Sequence, residues 1–124
     1  MFDKAIVTAM VGTVRPEASK VFYKDVLGLS LQSEDAFAAV FAGKNARGRV
    51  SRVPAVAPAP YAVLAFTVDD IAAGVDALIA RGVTMARFPV FQQDARGVWT
   101  APDGTKVAWF HDPDLNLLSV VQQP

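Results

Sequence analysis

The 124-residue chain has no cysteine, which excludes disulfides, thiolate metal sites and a cysteine nucleophile. Its 12 basic and 12 acidic residues cancel, so it lacks the electrostatic footprint of a nucleic-acid binder. The nearest approach to a basic cluster, Arg47, Arg49 and Arg52, has the spacing of a solvated loop and strand edge. No apolar run approaches the roughly 20 residues of a membrane helix. The start, Met-Phe-Asp-Lys, lacks the apolar stretch and small-residue cleavage site of a signal peptide. These absences point to a cytoplasmic setting, with neither nucleic acid nor membrane as a partner. A glycine-rich phosphate loop is also missing, since Gly43-Lys44 through Gly48 lacks the pattern. No Ser-His-Asp arrangement is supported.

Apolar residues, by contrast, are plentiful, at 52% of the chain. In a domain this small that excess implies a lined pocket, a dimer face, or both. A first helix is predicted from Pro16, which suits the first helical position, to Gly28, with Ala18, Val21, Phe22 and Val26 as its apolar face. A second begins at Asp69 or Asp70, both good N-caps, buries Ile71, Val75, Leu78 and Ile79, and ends at Gly82. Strands are predicted over 5–14, 29–32, 36–42 and 49–53, then over 61–68, 83–88, 97–101, 105–111 and 117–122. Segment 54–60 holds three prolines and reads as a stiff linker. The order repeats itself. An offset of 54 residues aligns Thr13 with Thr67, Val14 with Val68, Ala18 with Ala72, Val21 with Val75 and Gly28 with Gly82. Both helix-ending glycines and both strand-to-helix junctions fall in register, the mark of a duplicated unit. The fold class is therefore α+β, one domain over 1–124 built of two βαβββ modules, 1–53 and 61–124.

Three motifs, in order, resemble one family. Phe22-Tyr23-Lys24-Asp25-Val26-Leu27-Gly28-Leu29 is similar to the end of the first helix in the vicinal-oxygen-chelate superfamily. Val68-Asp69-Asp70-Ile71 is similar to its entry into the second helix, and Phe110-His111-Asp112-Pro113-Asp114-Leu115-Asn116 to its closing turn. That superfamily contains glyoxalase I, the bleomycin-resistance proteins and the extradiol dioxygenases. The resemblance implies two modules whose sheets curl into an open cup. In the metalloenzymes, His or Gln, His and Glu project into the cup and hold a divalent ion with open positions for substrate oxygens. In this sequence the first of those positions is Thr8 or Ala9, the second Val63 and the last Ser119, while 49–53 offers arginines and a serine but no carboxylate. None of these is a competent ligand, so neither a metal nor any other cofactor is expected. Leu115 also replaces the glycine usual in the closing turn, although leucine resists positive φ.

Strand alternation then assigns faces. With Val63 and Ser119 turned to the cup, as the resemblance implies, Ala65, Thr67, Leu117 and Val121 join them; the resemblance also sets Phe110 under the helix, which turns Val107, Trp109 and His111 to the cup. Trp99 lies on the adjacent hairpin arm. Trp99 and Trp109 are either ligand contacts or core and interface aromatics, and Phe37 and Phe41 either line the cup or pack beneath it. His111, beside a turn, is more ordinarily structural than catalytic, because Asp112 and Asp114 are spaced for turn hydrogen bonds. Asp69-Asp70 is better explained as a cap than as a carboxylate pair. The resulting expectation is a metal-free protein, paired as a homodimer, that sequesters an apolar or aromatic small molecule against Trp99, Trp109, His111, Phe37, Phe41, Val63 and Ser119. The competing readings are a glyoxalase-like lyase, isomerase or dioxygenase relative with a non-standard metal site nucleated by His111, and a protein whose function is association itself.

Overall fold

The computed structural model describes all residues, Met1–Pro124, and resolves into two compact units, Met1–Ala57 and Pro58–Pro124. In the first, β1 (Thr8–Thr13) leads into α1 (Pro16–Val21), which continues as a π-helical turn over Phe22–Val26. Strands β2 (Ser30–Glu34), β3 (Ala38–Ala42) and β4 (Arg47–Arg52) complete a mixed sheet of order β1-β4-β3-β2, with β1 parallel to β4. The second unit has β5 (Leu64–Thr67), α2 (Ile71–Ala80), β6 (Trp99–Thr100), β7 (Lys106–His111) and β8 (Leu117–Gln122). Its sheet runs β5-β8-β7-β6, with β5 parallel to β8. The two topologies are identical, as the 54-residue offset requires. Both helix-ending glycines have positive φ, 72° at Gly28 and 90° at Gly82, the conformation that closes a helix at little cost only for glycine. No helix is long and apolar enough to cross a membrane.

Each helix is placed by polar contacts at its start as well as by its apolar face. Asp70 caps α2, its Oδ1 accepting the Ala73 amide at 3.1 Å, and Gln122 of β8 accepts the Ile71 amide at 2.9 Å. Ile71, Val75 and Leu78 are buried, whereas Ile79 is half exposed and falls outside the expected stripe. At α1 the hydroxyls of Thr13 and Ser19 lie 2.8 Å apart and buried, and Thr13 Oγ1 accepts the Arg15 amide. This pair turns Ser19, Phe22 and Tyr23 toward the sheet and leaves Val21 exposed. The expected face over Ala18 and Val21 is therefore rotated. A π-helical turn widens the helical repeat, so strict 3.6 spacing does not carry through.

The units differ most in what separates the helix from the edge strand. In the first, the edge strand β2 follows the helix after a short turn; in the second, residues 83–98 come between α2 and the edge strand β6. The strand expected over 83–88 does not form. Ala86 donates to the Trp109 carbonyl at 2.8 Å, but the next available amide, that of Phe88, is taken by Gln93 Oε1 at 2.8 Å. Gln93 Nε2 in turn donates to the carbonyls of Ala86 (3.0 Å) and Gly97 (2.8 Å). Arg87 donates to the carbonyls of Asp94 and Ala95, and Asp94 Oδ1 accepts the amides of Arg96 and Val98. A two-pronged ion pair from Arg96 to Asp76 ties this loop to α2, and the guanidinium holds the Asp76 carboxyl below the usual range. The loop is thus ordered by its own side chains rather than by a sheet.

The closing turn keeps its shape despite Leu115, the one non-glycine residue with positive φ (65°). Asp112 Oδ1 accepts the amides of Asp114 and Asn116, both at 2.9 Å, and Oδ2 accepts Asn116 Nδ2 at 2.8 Å. These bonds impose the left-handed conformation, which costs an L residue about 1–2 kcal/mol. Leu115→Gly relieves that cost but adds unfolded-state freedom, and is expected to stabilise the protein by about 0.5 kcal/mol in denaturant unfolding. A clear loss of stability would show that the leucine side chain itself holds the turn. Gln93→Ala removes three hydrogen bonds at once and is expected to cost about 2 kcal/mol, with a red shift of tryptophan emission as the loop opens. An unchanged emission spectrum would contradict the bracing role of Gln93.

Candidate functional site

Cross-strand register in the second sheet decides which side chains share a face. Leu118 lies beside Leu64 and Phe110, and Val120 beside Phe66 and Ala108. Leu118, Val120, Ala108 and Phe110 are all buried, and a methyl group built on Gly74 of α2 would lie 3.8 Å from Val120. This is the face covered by α2. The opposite face carries Trp99, Val107, Val121 and Thr67 in one row and Trp109, Ser119 and Ala65 in the next. His111 and Leu117 follow, with Val63 beyond them, joined by its amide to the Leu117 carbonyl at 2.9 Å. The register gives Ala65, Thr67, Val107, Trp109, His111, Leu117, Ser119 and Val121 the side expected of them.

On that open face the loop 83–98 delivers two further rings, Phe88 and Phe91. Phe91 stacks on Trp109 with centroids 4.9 Å apart and planes 11° from parallel, and lies 4.7 Å from Trp99. The two indoles are 6.2 Å apart and 30° from parallel. Phe88 meets Trp109 edge-on at 5.4 Å and Phe91 edge-on at 6.3 Å. All four rings are only partly buried. Neither indole N–H has a hydrogen-bond partner in the protein, and neither is buried away from solvent. A half-exposed cluster with two donors unengaged is suited to receive a flat, apolar group carrying an acceptor. Sequence reading identified the tryptophans but missed Phe88 and Phe91. The signal was present in Phe88-Pro89-Val90-Phe91, where two aromatic residues flank a proline just past the strand expected over 83–88.

The other expected site residues fare differently. Phe41 is a core residue, 1% exposed and 5.7 Å from the Tyr23 ring, on the helix side of the first sheet. It cannot line an open surface. Phe37 precedes β3 and is 71% exposed, so the two phenylalanines do not act together. Ser119 is buried, its hydroxyl turned toward the Leu64 carbonyl at 3.4 Å. His111 is exposed, and its imidazole makes no hydrogen bond or ion pair. Asp112 engages both oxygens in the closing turn, which removes it as the partner that a histidine base requires.

Register separates the two candidates for the first ligand position that the resemblance implies. Thr8 shares its face with Met10 and Gly12, whereas Ala9 lies with the buried Val11 and Thr13 on the helix side. Thr8, Val63 and Ser119 supply no imidazole, carboxylate or thiolate, and no three of the His, Asp and Glu side chains gather in a group that could hold a metal ion. The residues present do not fit the family's metal.

Residues 5–120 match the sequence profile of the Glyoxalase/Bleomycin resistance protein/Dioxygenase superfamily. Comparison with curated protein sequences gives no match. Among solved structures, the chain is similar to a putative glyoxalase family protein from Bacillus anthracis, with a TM-score of 0.78, 18% identity, and coverage of 100% of this chain and 98% of the other. It is also similar to TnmS3, an antibiotic-binding protein from Streptomyces sp. CB03234, at TM-score 0.77 and 22% identity over 100% and 99% of the two chains. Lactoylglutathione lyase from Agrobacterium tumefaciens follows at TM-score 0.71 and 18% identity, over 96% and 93%. Identities this low speak to the fold, which in each unit is the βαβββ arrangement described above. With that topology, the three ordered motifs and a profile match over nearly the whole sequence, the chain belongs to the Glyoxalase/Bleomycin resistance protein/Dioxygenase superfamily.

Proposed function

We propose that this protein binds a planar aromatic small molecule, without a metal, on the open face of its second sheet. The observation that carries the reading is the gathering of Phe88, Phe91, Trp99 and Trp109, with both indole N–H groups unengaged, beside positions where Val63 and Ser119 stand in place of metal ligands. A core needs no such half-exposed group of four rings. Stacking on an indole contributes on the order of 1 kcal/mol beyond the area it buries, and the unengaged donors add orientation. The name of TnmS3 as an antibiotic-binding protein supports the same class of activity for this fold. The enzyme reading has no comparable support, because His111 lacks an orienting carboxylate and no donor set is assembled.

A thermal-shift screen of planar bicyclic and tricyclic aromatics is expected to find compounds whose stabilisation grows with the logarithm of their concentration, reaching about 2.7 kcal/mol at a hundredfold excess over Kd. The same compounds quench tryptophan emission, and Trp109→Ala weakens them about tenfold or more. Elemental analysis of protein purified without chelators is expected to find no stoichiometric transition metal. A tightly held metal ion in each chain, or hits whose affinity ignores both Trp99→Ala and Trp109→Ala, would overturn the proposal.

A further inference from the structure

The first unit has an open sheet face of a different character. Strand β4 is central, paired with β1 on one side and β3 on the other. Val50, beside Val11 and Ala39, faces the helix and is buried. Arg47, Arg49 and Ser51 therefore point the other way. Register sets Arg47 between Thr8 and Ala42, Arg49 between Met10 and Val40, and Ser51 between Gly12 and Ala38. The Ser51 end of this face is covered by the returning chain, for a methyl group on Gly12 would lie 3.1 Å from the Val53 side chain and 3.8 Å from that of Val56. The arginine end stays open, and Met10 there is 66% exposed.

Charged side chains commonly protect the edges of sheets, but here two guanidiniums occupy a central strand two residues apart, their Cα atoms separated by about 7 Å. Neither makes an ion pair or a side-chain hydrogen bond. Their row neighbours Thr8, Met10, Val40 and Ala42 carry no negative charge. The acid that feels Arg49 and Arg52 is Asp35, and its Oδ1 is already committed to the Phe37 and Ala38 amides at 2.7 and 2.9 Å. Glu34 is paired with Lys20 at 2.8 Å. Arg49 is half-buried, its stem flanked by Met10 and Val40, so its head group is held in place with no direct ion pair, and Asp35 acts on it only through space. Arginine's planar fork recognises oxyanions in two-pronged fashion, which a lysine cannot do.

We propose that Arg47 and Arg49 form a binding site for the oxyanionic group of a small molecule, a carboxylate or a phosphate ester. Every residue that carries it lies in the first unit, whereas the aromatic cluster lies in the second. The test uses probes without rings: butyrate, methyl phosphate and the neutral butyramide, titrated into nitrogen-labelled protein while the arginine Nε–H and β4 amide signals are followed. At least one anion is expected to shift the Arg49 and Arg47 signals saturably, while butyramide leaves them in place. Arg49→Gln weakens that response about tenfold and Arg49→Lys less, with thermal stability unchanged. Tighter binding of butyrate assigns the site to carboxylates, and of methyl phosphate to phosphate esters; either result supports it. Anions that act no differently from butyramide, or a response that survives Arg47→Gln and Arg49→Gln, would overturn it. Trp109→Ala should leave the titration as it is in the wild type, so failure here is distinct from failure of the aromatic site.

Discussion

The Asp112 carboxylate fixes how β7 meets β8, and the candidate site depends on that meeting. By accepting two turn amides and the Asn116 side chain, it sets His111 opposite Leu117 and Trp109 opposite Ser119. A slip of one residue would exchange the faces of a strand, driving Trp109 under α2 and exposing Phe110. The turn is held firmly enough to keep Leu115 at positive φ. Burial of Ala108, Phe110, Leu118 and Val120 beneath α2 reinforces the same register, because only that alignment removes all four from water. The exposed tryptophan face is thus the necessary counterpart of the core.

Duplication explains the scaffold, and departure from duplication explains the site. Both units have one strand order and glycine-closed helices. Only the second inserts residues 83–98 before its edge strand, and that insertion brings Phe88 and Phe91 onto the indoles. Loops carried on a rigid frame are where proteins commonly place recognition. This one is braced by Gln93, Arg87, Asp94 and the Arg96–Asp76 pair, so the rings are held in place before any ligand arrives. Less ordering is then left for binding to impose.

Much of this was legible in the sequence. The 54-residue offset, the closing glycines Gly28 and Gly82, a cap at Asp69 or Asp70 and the alternating faces of β5 and β8 were readable from local rules, while the face of β7 came from the resemblance. What escaped was governed by contacts between distant side chains. The Thr13–Ser19 hydrogen bond and the π-helical turn rotate the first helix away from its simple periodicity. Gln93 reaches back to the Phe88 amide and so prevents a strand that composition favours. Phe41, at a spacing shared with Phe37, belongs to the core because Tyr23 packs against it. In the candidate site, Trp109 was readable once the resemblance set Phe110 under the helix and Trp99 from its place on the adjacent hairpin arm, whereas the phenylalanines that complete the cluster required the loop's path.

The presence of only two tryptophans allows the central claim to be measured directly. The indole N–H resonances of Trp99 and Trp109 can be followed while a planar aromatic ligand with a hydrogen-bond acceptor is added to metal-free protein. The account predicts that both signals move saturably and together, with Phe91 ring signals moving alongside them. Indole signals that stay fixed while resonances elsewhere report binding would contradict it.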